Sequence, residues 1–407
     1  MKIILKNIKF SCFPMLFLVL TSGSMLFIFF RKEMLYFAFF LFTTLFLARN
    51  LYKREFLILV QLLTLFIFLL IINFIFASTT QSTQKLFANI VIFTTSIFSA
   101  MYYTREENKR LFISHLQLVL KIILIHSLIN FFIYPFTNSF IYEISNNRYD
   151  CYTLFNFFFY LKNTHSFSIL GIEFVRNQGI FWEPGVLQIF LNLLLFINSF
   201  IRKKRGIIFW MTIIALLTTF STTGLVVMFI QLIISFAYDV KKNILFLPIG
   251  ILLLSSVYYI TSVNISEKIQ GDSQYSFQAR YFDLIQPLYI AVKNPITGVG
   301  LDDEQFVETR QKTNFSLNLK VLDFSNVNDR GSTNSIMFFL AAAGLPFTLI
   351  ILFMLYHQKF VNENRKWFFI FVIISLMTEP IMLRPFFLTF VMSGGIHIIN
   401  KFRWKTY

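Results

Sequence analysis

The sequence is short of charge: 14% of its 407 residues are Asp, Glu, Lys or Arg, while 56% are hydrophobic. Soluble chains carry about 25% charge, and no long stretch here is both polar and periodic, so a set of water-soluble domains is excluded. Glycine is scarce too, 14 against 56 phenylalanines, which excludes a channel packed through small residues. Cysteine is almost absent. Cys12 and Cys151 are too few to make a metal site alone, and their expected places, a helix end and a loop, predict no disulfide. Acids are the rarer sign, 20 against 36 basic residues, for a net charge of +16. That surplus would suit nucleic acid. The basic clusters, however, recur at regular intervals between apolar runs, as residues holding loops on the cytoplasmic side of a membrane do. No nucleic-acid partner is expected.

Several motifs are also missing. There is no P-loop, no GxGxxG and no H-E-x-x-H, which argues against nucleotide hydrolysis, and neither metal nor cofactor is expected. The five histidines stand apart from one another. His126 lies inside an apolar run and His115 near the cytoplasmic end of the same run, His357 and His397 lie at or near the ends of others, and His165 in a loop.

What is present is a series of apolar runs of spanning length. They cover 13–30, 34–48, 56–76, 86–103, 111–134, 185–201, 206–221, 224–239, 244–261, 334–356, 367–382 and 385–400. Lys2, Lys6 and Lys9 before the first run imitate a signal peptide. That run ends in Arg31-Lys32 without a small-residue cleavage site, so it is read as a retained span. Basic clusters follow at Arg49 to Arg54, Arg105 to Arg110, Arg202 to Arg205, Lys241-Lys242, Arg365-Lys366 and Lys401 to Lys405. Two runs separate each successive pair, as a single orientation demands. The expected fold is an all-α integral membrane protein of about twelve helices, one polytopic domain over 1–407 with both termini cytoplasmic.

Two long connections, 135–183 and 262–333, then face away from the cytoplasm. The second holds nine acids against seven basic residues, a balance suited to a translocated loop. Long connections in a compact fold are usually functional. The first ends in Arg176-Asn-Gln-Gly179-Ile-Phe-Trp-Glu183-Pro184. Pro184 suits the first position of a helix, with Glu183 as its cap beside the positive helix end. Phe181 and Trp182 would anchor at the lipid interface. An Arg176–Glu183 ion pair and a direct substrate role are both open. The second connection holds Gln278-Ala-Arg280-Tyr-Phe-Asp283, and apolar spacing from Phe277 onward predicts an amphipathic helix on the membrane. It ends at Asn294-Pro295, where Gly298-Val-Gly300 turns the chain. Thr333-Asn334-Ser335 opens the next span as a polar cap, and Ser221-Thr-Thr-Gly224 reads as a hairpin between spans. Glu379 and Arg384 bracket the last turn and are expected to pair, because an acid at a span end needs a partner.

The order R-x2-G-x3-E-P, S-T-T-G, A-R…P-x2-G-x-G and a polar helix start followed by Gly344 resembles the O-antigen polymerase and ligase superfamily. More narrowly it is similar to Wzy-type oligosaccharide repeat-unit polymerases, over about residues 130 to 395. The resemblance implies a metal-independent C-type glycosyltransferase at the outer face of the bacterial inner membrane. It implies that a glycan on undecaprenyl diphosphate is moved onto a new lipid-linked repeat unit, making O-antigen or capsular polysaccharide. Membrane lipid and a chain-length regulator protein are the further partners it suggests. Arg176 and Arg280 match the family's loop arginines and are implied to bind diphosphate. Glu183 matches the motif acid, as orienter or base, with Asn334, Glu379 and Arg384 in supporting places. The ligase branch, which loads glycan onto lipid A core, has His-Asn where this chain has Thr333-Asn334, and often Arg where it has Thr222-Thr223. Both departures favour a polymerase and leave the general base unidentified. A lipid-linked sugar flippase would instead expect short loops and charge inside the spans.

Overall fold

The computed structural model describes residues 12–48, 52–105, 108, 110–146, 149–162, 167–169, 172–240, 251, 255, 258–259, 262, 274–313 and 331–403. In chain order it begins with helices α1 (Phe13–Leu20), α2 (Met25–Phe29), α3 (Arg31–Leu47), α4 (Lys53–Phe76), α5 (Thr83–Thr104) and α6 (Leu111–Thr137). Strands β1 (Tyr142–Asn146), β2 (Tyr149–Leu154), β3 (Phe158–Leu161), β4 (Phe167–Ile169) and β5 (Ile172–Phe174) follow. Then come α7 (Pro184–Phe196), α8 (Ile207–Thr218), α9 (Thr222–Val240), α10 (Gln274–Lys293), α11 (Asp303–Lys312), α12 (Ser335–Tyr356), α13 (Arg365–Thr378) and α14 (Pro385–Arg403).

The structure is mostly helical, at 74%. Among the described residues, five helical stretches are long and apolar enough to cross a membrane: α4, α5, α6, α7 with its continuation to Ile201, and α12. Most of the expected runs fall on one helix each, although the run 244–261 lies mostly outside the described residues. The described residues group into two compact units, each drawn from two stretches of chain. The first is Met1–Arg31 with Ile113–Glu267, the second Lys32–Phe112 with Lys268–Tyr407.

In the first unit α7 is the hub, with every residue buried and with α8 and α9 packed on it. Its interior is not wholly apolar. Asn192 Nδ2 donates to Gln188 Oε1 at 2.9 Å and to the Gly224 carbonyl at 3.1 Å, and Gln231 Nε2 donates to Asn192 Oδ1 at 3.2 Å. Such bonds hold helices together where water is absent. Gly224 is needed there, since a Cβ would lie 2.7 Å from that of Gln188.

The run 13–30 is not the single span that its hydropathy predicts. It breaks at Thr21–Ser24, leaving an eight-residue and a five-residue helix. The hydroxyls contribute to the break. Thr21 and Ser22 bond back to the Leu18 carbonyl at 2.8 and 3.2 Å and Ser24 to that of Leu20 at 2.8 Å, offering the backbone an alternative to continued helix. Gly23 adopts φ +131°, and Ser24 then caps α2 through the Phe27 amide at 3.2 Å.

The connection 135–183 also departs from the all-α expectation, because it carries strands. β1, β2 and β3 form an antiparallel meander with Glu143 opposite Tyr152 and Tyr152 opposite Tyr160, and β4 pairs with β5. Tyr, Thr and Phe suit a pleated surface, and Cys151 and Thr153 alternate inward along β2. The β2–β3 turn places Phe155 and Asn156 at φ +57° and +53°. β3 rests on α6, where Asn130 Nδ2 donates to the Phe159 carbonyl at 3.2 Å. His126 meets the Phe157 carbonyl at 2.9 Å and stacks on Phe158, a structural role.

In the second unit aromatic rings fill the centre, with Phe66, Phe93 and Phe347 at centroid separations of 5.2 to 6.3 Å across α4, α5 and α12. α10 packs on α12. Ala279, Phe282, Asp283, Gln286 and Ile290 are buried, while Tyr281, Leu288, Tyr289 and Val292 are exposed. An apolar outer side, over an inner side that mixes apolar residues with Asp283 and Gln286, fits a helix at a lipid surface. α12 is itself interrupted: Gly344 sits at φ +80°, ψ 169°, outside helical values.

Candidate functional site

Each unit seats one of the two sequence motifs in its interrupted helix. In the first unit the segment 176–183 crosses the gap between α1 and α2. Met25 N–H donates to the Ile180 carbonyl at 2.8 Å, and Trp182 N–H to that of Gly23 at 3.2 Å. The unwound groups are therefore satisfied by protein, the condition for irregular backbone within a membrane. Gly179 takes φ +57° and turns the segment; Asn177 Oδ1 accepts its N–H at 3.1 Å. Asn177 Nδ2 ties the turn to the Ser127 carbonyl at 3.0 Å and to Thr218 Oγ1 at 2.9 Å.

This seating fixes the two charged groups differently. Arg176 donates from Nε to the Thr219 carbonyl at 3.2 Å and from Nη2 to that of Phe220 at 3.3 Å. These carbonyls end α8, so the cation meets the negative end of a helix. The Ser221–Gly224 hairpin thus belongs to the site, because the residues leading into it hold Arg176. Glu183 stands at the N-cap of α7, with Pro184 beside it at the start of the helix, yet its side chain makes no cap bond. Its Oε1 accepts instead from the Trp182 indole at 2.7 Å. Trp182 and Phe181 are buried rather than lipid-facing: Phe181 stacks on Phe190 at 4.6 Å, and Trp182 lies against Gly23. Tyr149 on β2 donates its hydroxyl to the Trp182 carbonyl, which ties the sheet to the motif. Burial pushes the Tyr149 phenol well up, with smaller contributions from Cys151 and Glu183. The buried Cys151 thiol is pushed up to about 12 by desolvation and Asp150, so it is not a reactive nucleophile.

One residue at this site escaped the sequence reading. Gln178 is 0% exposed, and neither of its amide atoms has a hydrogen-bond partner among the described residues. A buried amide left so costs about 1–3 kcal/mol, and it is a candidate ligand contact. The polar i, i+4 pair Gln188 and Asn192 within an apolar run was the available signal for the buried polar chemistry nearby.

In the second unit the turn 294–302 enters the gap in α12. Val299 N–H donates to the Ala341 carbonyl at 2.9 Å, Gly300 N–H to that of Ala342 at 2.8 Å, and Leu345 N–H to that of Pro295 at 2.8 Å. The second half of the turn, 298–302, is buried rather than solvated: Val299 is 0% exposed, and Asn73 of α4 clamps the turn by donating to the Thr297 carbonyl at 2.7 Å. Both partner glycines are forced. Gly298 has φ +67°, and a Cβ on Gly344 would stand 2.1 Å from the Ile296 carbonyl oxygen.

Arg280, 14 residues before this turn's Asn294 on the same helix, extends Nη2 to within 3.6 Å of Glu379 Oε1. Glu379 is 2% exposed while the Arg280 side chain is 38% exposed, so a buried carboxylate backs a reachable cation. Glu379, expected to pair with Arg384, forms an ion pair with Arg280, and Arg384 closes the turn by donating its N–H to the Ile381 carbonyl at 3.0 Å. Asn334 caps α12 through the Met337 amide at 3.0 Å. The adjacent Ser335 donates to the Glu379 carbonyl and accepts from Ile381 N–H at 2.9 Å. Arg280, Glu379 and Asn334 are thus gathered in one unit, and Arg176 and Glu183 in the other.

A second arginine in this unit plays a different part. Arg310 and Asp283 are both 0% exposed and meet at 2.8 Å, with Arg310 Nε also donating to Gln286 Oε1 at 2.7 Å. Asp283 Oδ2 accepts from the N–H and hydroxyl of Thr333 at 2.9 and 2.8 Å. One carboxylate therefore clips α10, α11 and the approach to α12 together. Compared with known proteins, the chain matches no family model, no curated protein and no solved structure.

Proposed function

We propose that this chain is a metal-independent glycosyltransferase that polymerises undecaprenyl-diphosphate-linked repeat units at the outer face of a bacterial inner membrane. In this reading about twelve helices cross the bilayer, both termini are cytoplasmic, and the connections 135–183 and 262–333 face the substrates. The observation that carries it is that the protein holds each of the two motif arginines in place, Arg176 on the carbonyls that end α8 and Arg280 beside the buried Glu379. Fixed cations of this kind suit an anionic leaving group better than flexible surface ones.

The acceptor hydroxyl attacks the anomeric carbon, a carbon–oxygen bond forms, and the bond to the lipid diphosphate breaks. Arg176 and Arg280 stabilise the negative charge that develops on the departing diphosphate. Glu183, oriented by the Trp182 indole, orients the reacting groups or takes the hydroxyl proton. Glu379 holds Arg280 in place, and Asn334 and Arg384 shape the ground around it.

The test is the surface glycan of a deletion strain complemented with Arg176→Ala or Arg280→Ala. Each variant is expected to insert normally and to collapse long glycan to single repeats. A normal ladder of chain lengths from both variants overturns the reading. A deletion strain that loses all glycan on lipid A, single repeats included, points to a ligase instead.

A further inference from the structure

α8 has two ends with different chemistry: its C-terminal carbonyls hold Arg176, and its N-terminus opens into a basic cavity of about 400 Å³. We propose that this cavity binds a phosphate group. The site does not depend on the transferase reading, and about 18 Å of helix separates it from the Arg176 end.

The cavity lies among α6, the five-residue π-helical turn Ile197–Ile201 that ends α7, and the start of α8. Lys121, Arg202 and Lys204 line it, and no lining residue is acidic. Its polar wall is ordered from within. Arg202 donates to Gln117 Oε1 at 3.2 Å and to Ser114 Oγ at 3.1 Å; Gln117 Nε2 in turn donates to Asn198 Oδ1 at 3.0 Å. That last bond occupies the acceptor of Asn198. Its Nδ2 is left with no partner among the described residues, although the side chain is only 4% exposed.

The remaining wall also offers only donors. Gly206 caps α8 without a side chain to bond the first amides, and Ile207 and Ile208 are among the four residues whose N–H groups a helix start leaves open. Three cations, an orphan amide and a helix N-terminus call for a ligand made of acceptors and negative charge, which a phosphate is. A volume of about 400 Å³ lies within the range of small-molecule sites. π-helical turns recur at functional sites; here the turn brings Asn198 and Arg202 to the cavity.

A phosphate can come from an anionic lipid headgroup or from solution. Ile207 at 74% exposure and Trp210 at 40% stand beside the cations, an apolar and aromatic fringe of the kind found at the membrane interface. The full-length protein would be reconstituted in nanodiscs of neutral phosphatidylcholine, the same with phosphatidylglycerol added, and the neutral discs with inorganic phosphate. Thermal midpoint and native mass spectrometry would be read on each.

A raised midpoint and a retained lipid in the phosphatidylglycerol arm alone identify a headgroup site. A rise with inorganic phosphate as well identifies a site for free phosphate. Lys121→Gln with Lys204→Gln should weaken the response on the order of tenfold. Asn198→Asp, close to isosteric, should weaken it by opposing the anion, and it serves as the second variant if the first fails to fold. No response to either phosphate source, or a full response in the lysine double variant, overturns the proposal.

Discussion

Both units interrupt an apolar helix and seat a glycine-bearing motif segment in the gap, but they fill that gap with different atoms. Opposite Gly23 the filler is a side chain, the Trp182 ring, 2.2 Å from where a Cβ would stand. Opposite Gly344 it is backbone, the Ile296 carbonyl at 2.1 Å. A ring can tilt away; a carbonyl held between neighbouring hydrogen bonds cannot. The units also treat their arginines differently. Arg310 is fully buried and ion-paired with Asp283, and it braces the fold. The Arg176 guanidinium donates instead to the carbonyls that end α8. Arg280 differs from both, 38% exposed with a buried acid behind it.

The largest expected effect breaks the buried pair. Asp283→Asn leaves Arg310 buried without a counter-charge and should cost about 3–5 kcal/mol, seen as a large drop in thermal midpoint in detergent. A drop smaller than about 1 kcal/mol would mean that Arg310 gains water or another partner, and the contrast with Arg176 would fall.

The next effect compares the two breaks directly. Both glycines have positive φ, so both substitutions strain the backbone; Gly344→Ala adds a backbone clash and should cost about 3 kcal/mol, while Gly23→Ala should cost about 1–2 kcal/mol because the ring can yield. In a Trp182→Ala background the Gly23→Ala cost should shrink, a coupling that a double-mutant cycle reads. Equal costs at the two glycines would erase the distinction.

The smallest effect on stability tests the orphan amide. Gln178→Leu removes two unpaired buried polar atoms, so stability should hold or rise by about 1 kcal/mol, while the glycan ladder shortens if the amide contacts substrate. A destabilisation of similar size would show instead that Gln178 is a structural bond-maker.

Much of the helix content could be read from hydropathy, since a run of lipid-length apolar residues leaves the backbone few alternatives. The places where it could not be read share a cause. Thr21 to Ser24 looks like a polar patch that a helix tolerates, and only the arrival of residues 180–182 makes unwinding favourable. The Asn294–Gly300 turn is legible as a turn, but its burial depends on Gly344, far along the chain. Glu183 occupies the cap position that its neighbour Pro184 advertises, yet its carboxylate follows the Trp182 indole, which only the folded rotamers decide. Likewise Arg280 and Glu379 sit in separate stretches of sequence, and no local pattern records that they meet. The strands in 142–161 did leave a trace, the alternation of buried Cys151 and Thr153 with Tyr152, too short to stand out from a loop.

The break at Gly23 also sets an order of events in time. Its partners Ile180 and Trp182 lie about 160 residues downstream, which at ~5–20 residues per second is roughly 8 to 30 seconds of synthesis. Unpaired backbone in lipid costs several kcal/mol per group, a penalty that favours a continuous helix through 13–29 during that interval. The helix then unwinds when the motif segment emerges. At Gly344 the order is reversed, since Pro295 to Gly300 are made first and wait as a template for the kink. By that order of synthesis the amino-terminal break is expected to form late and the second as the chain is made.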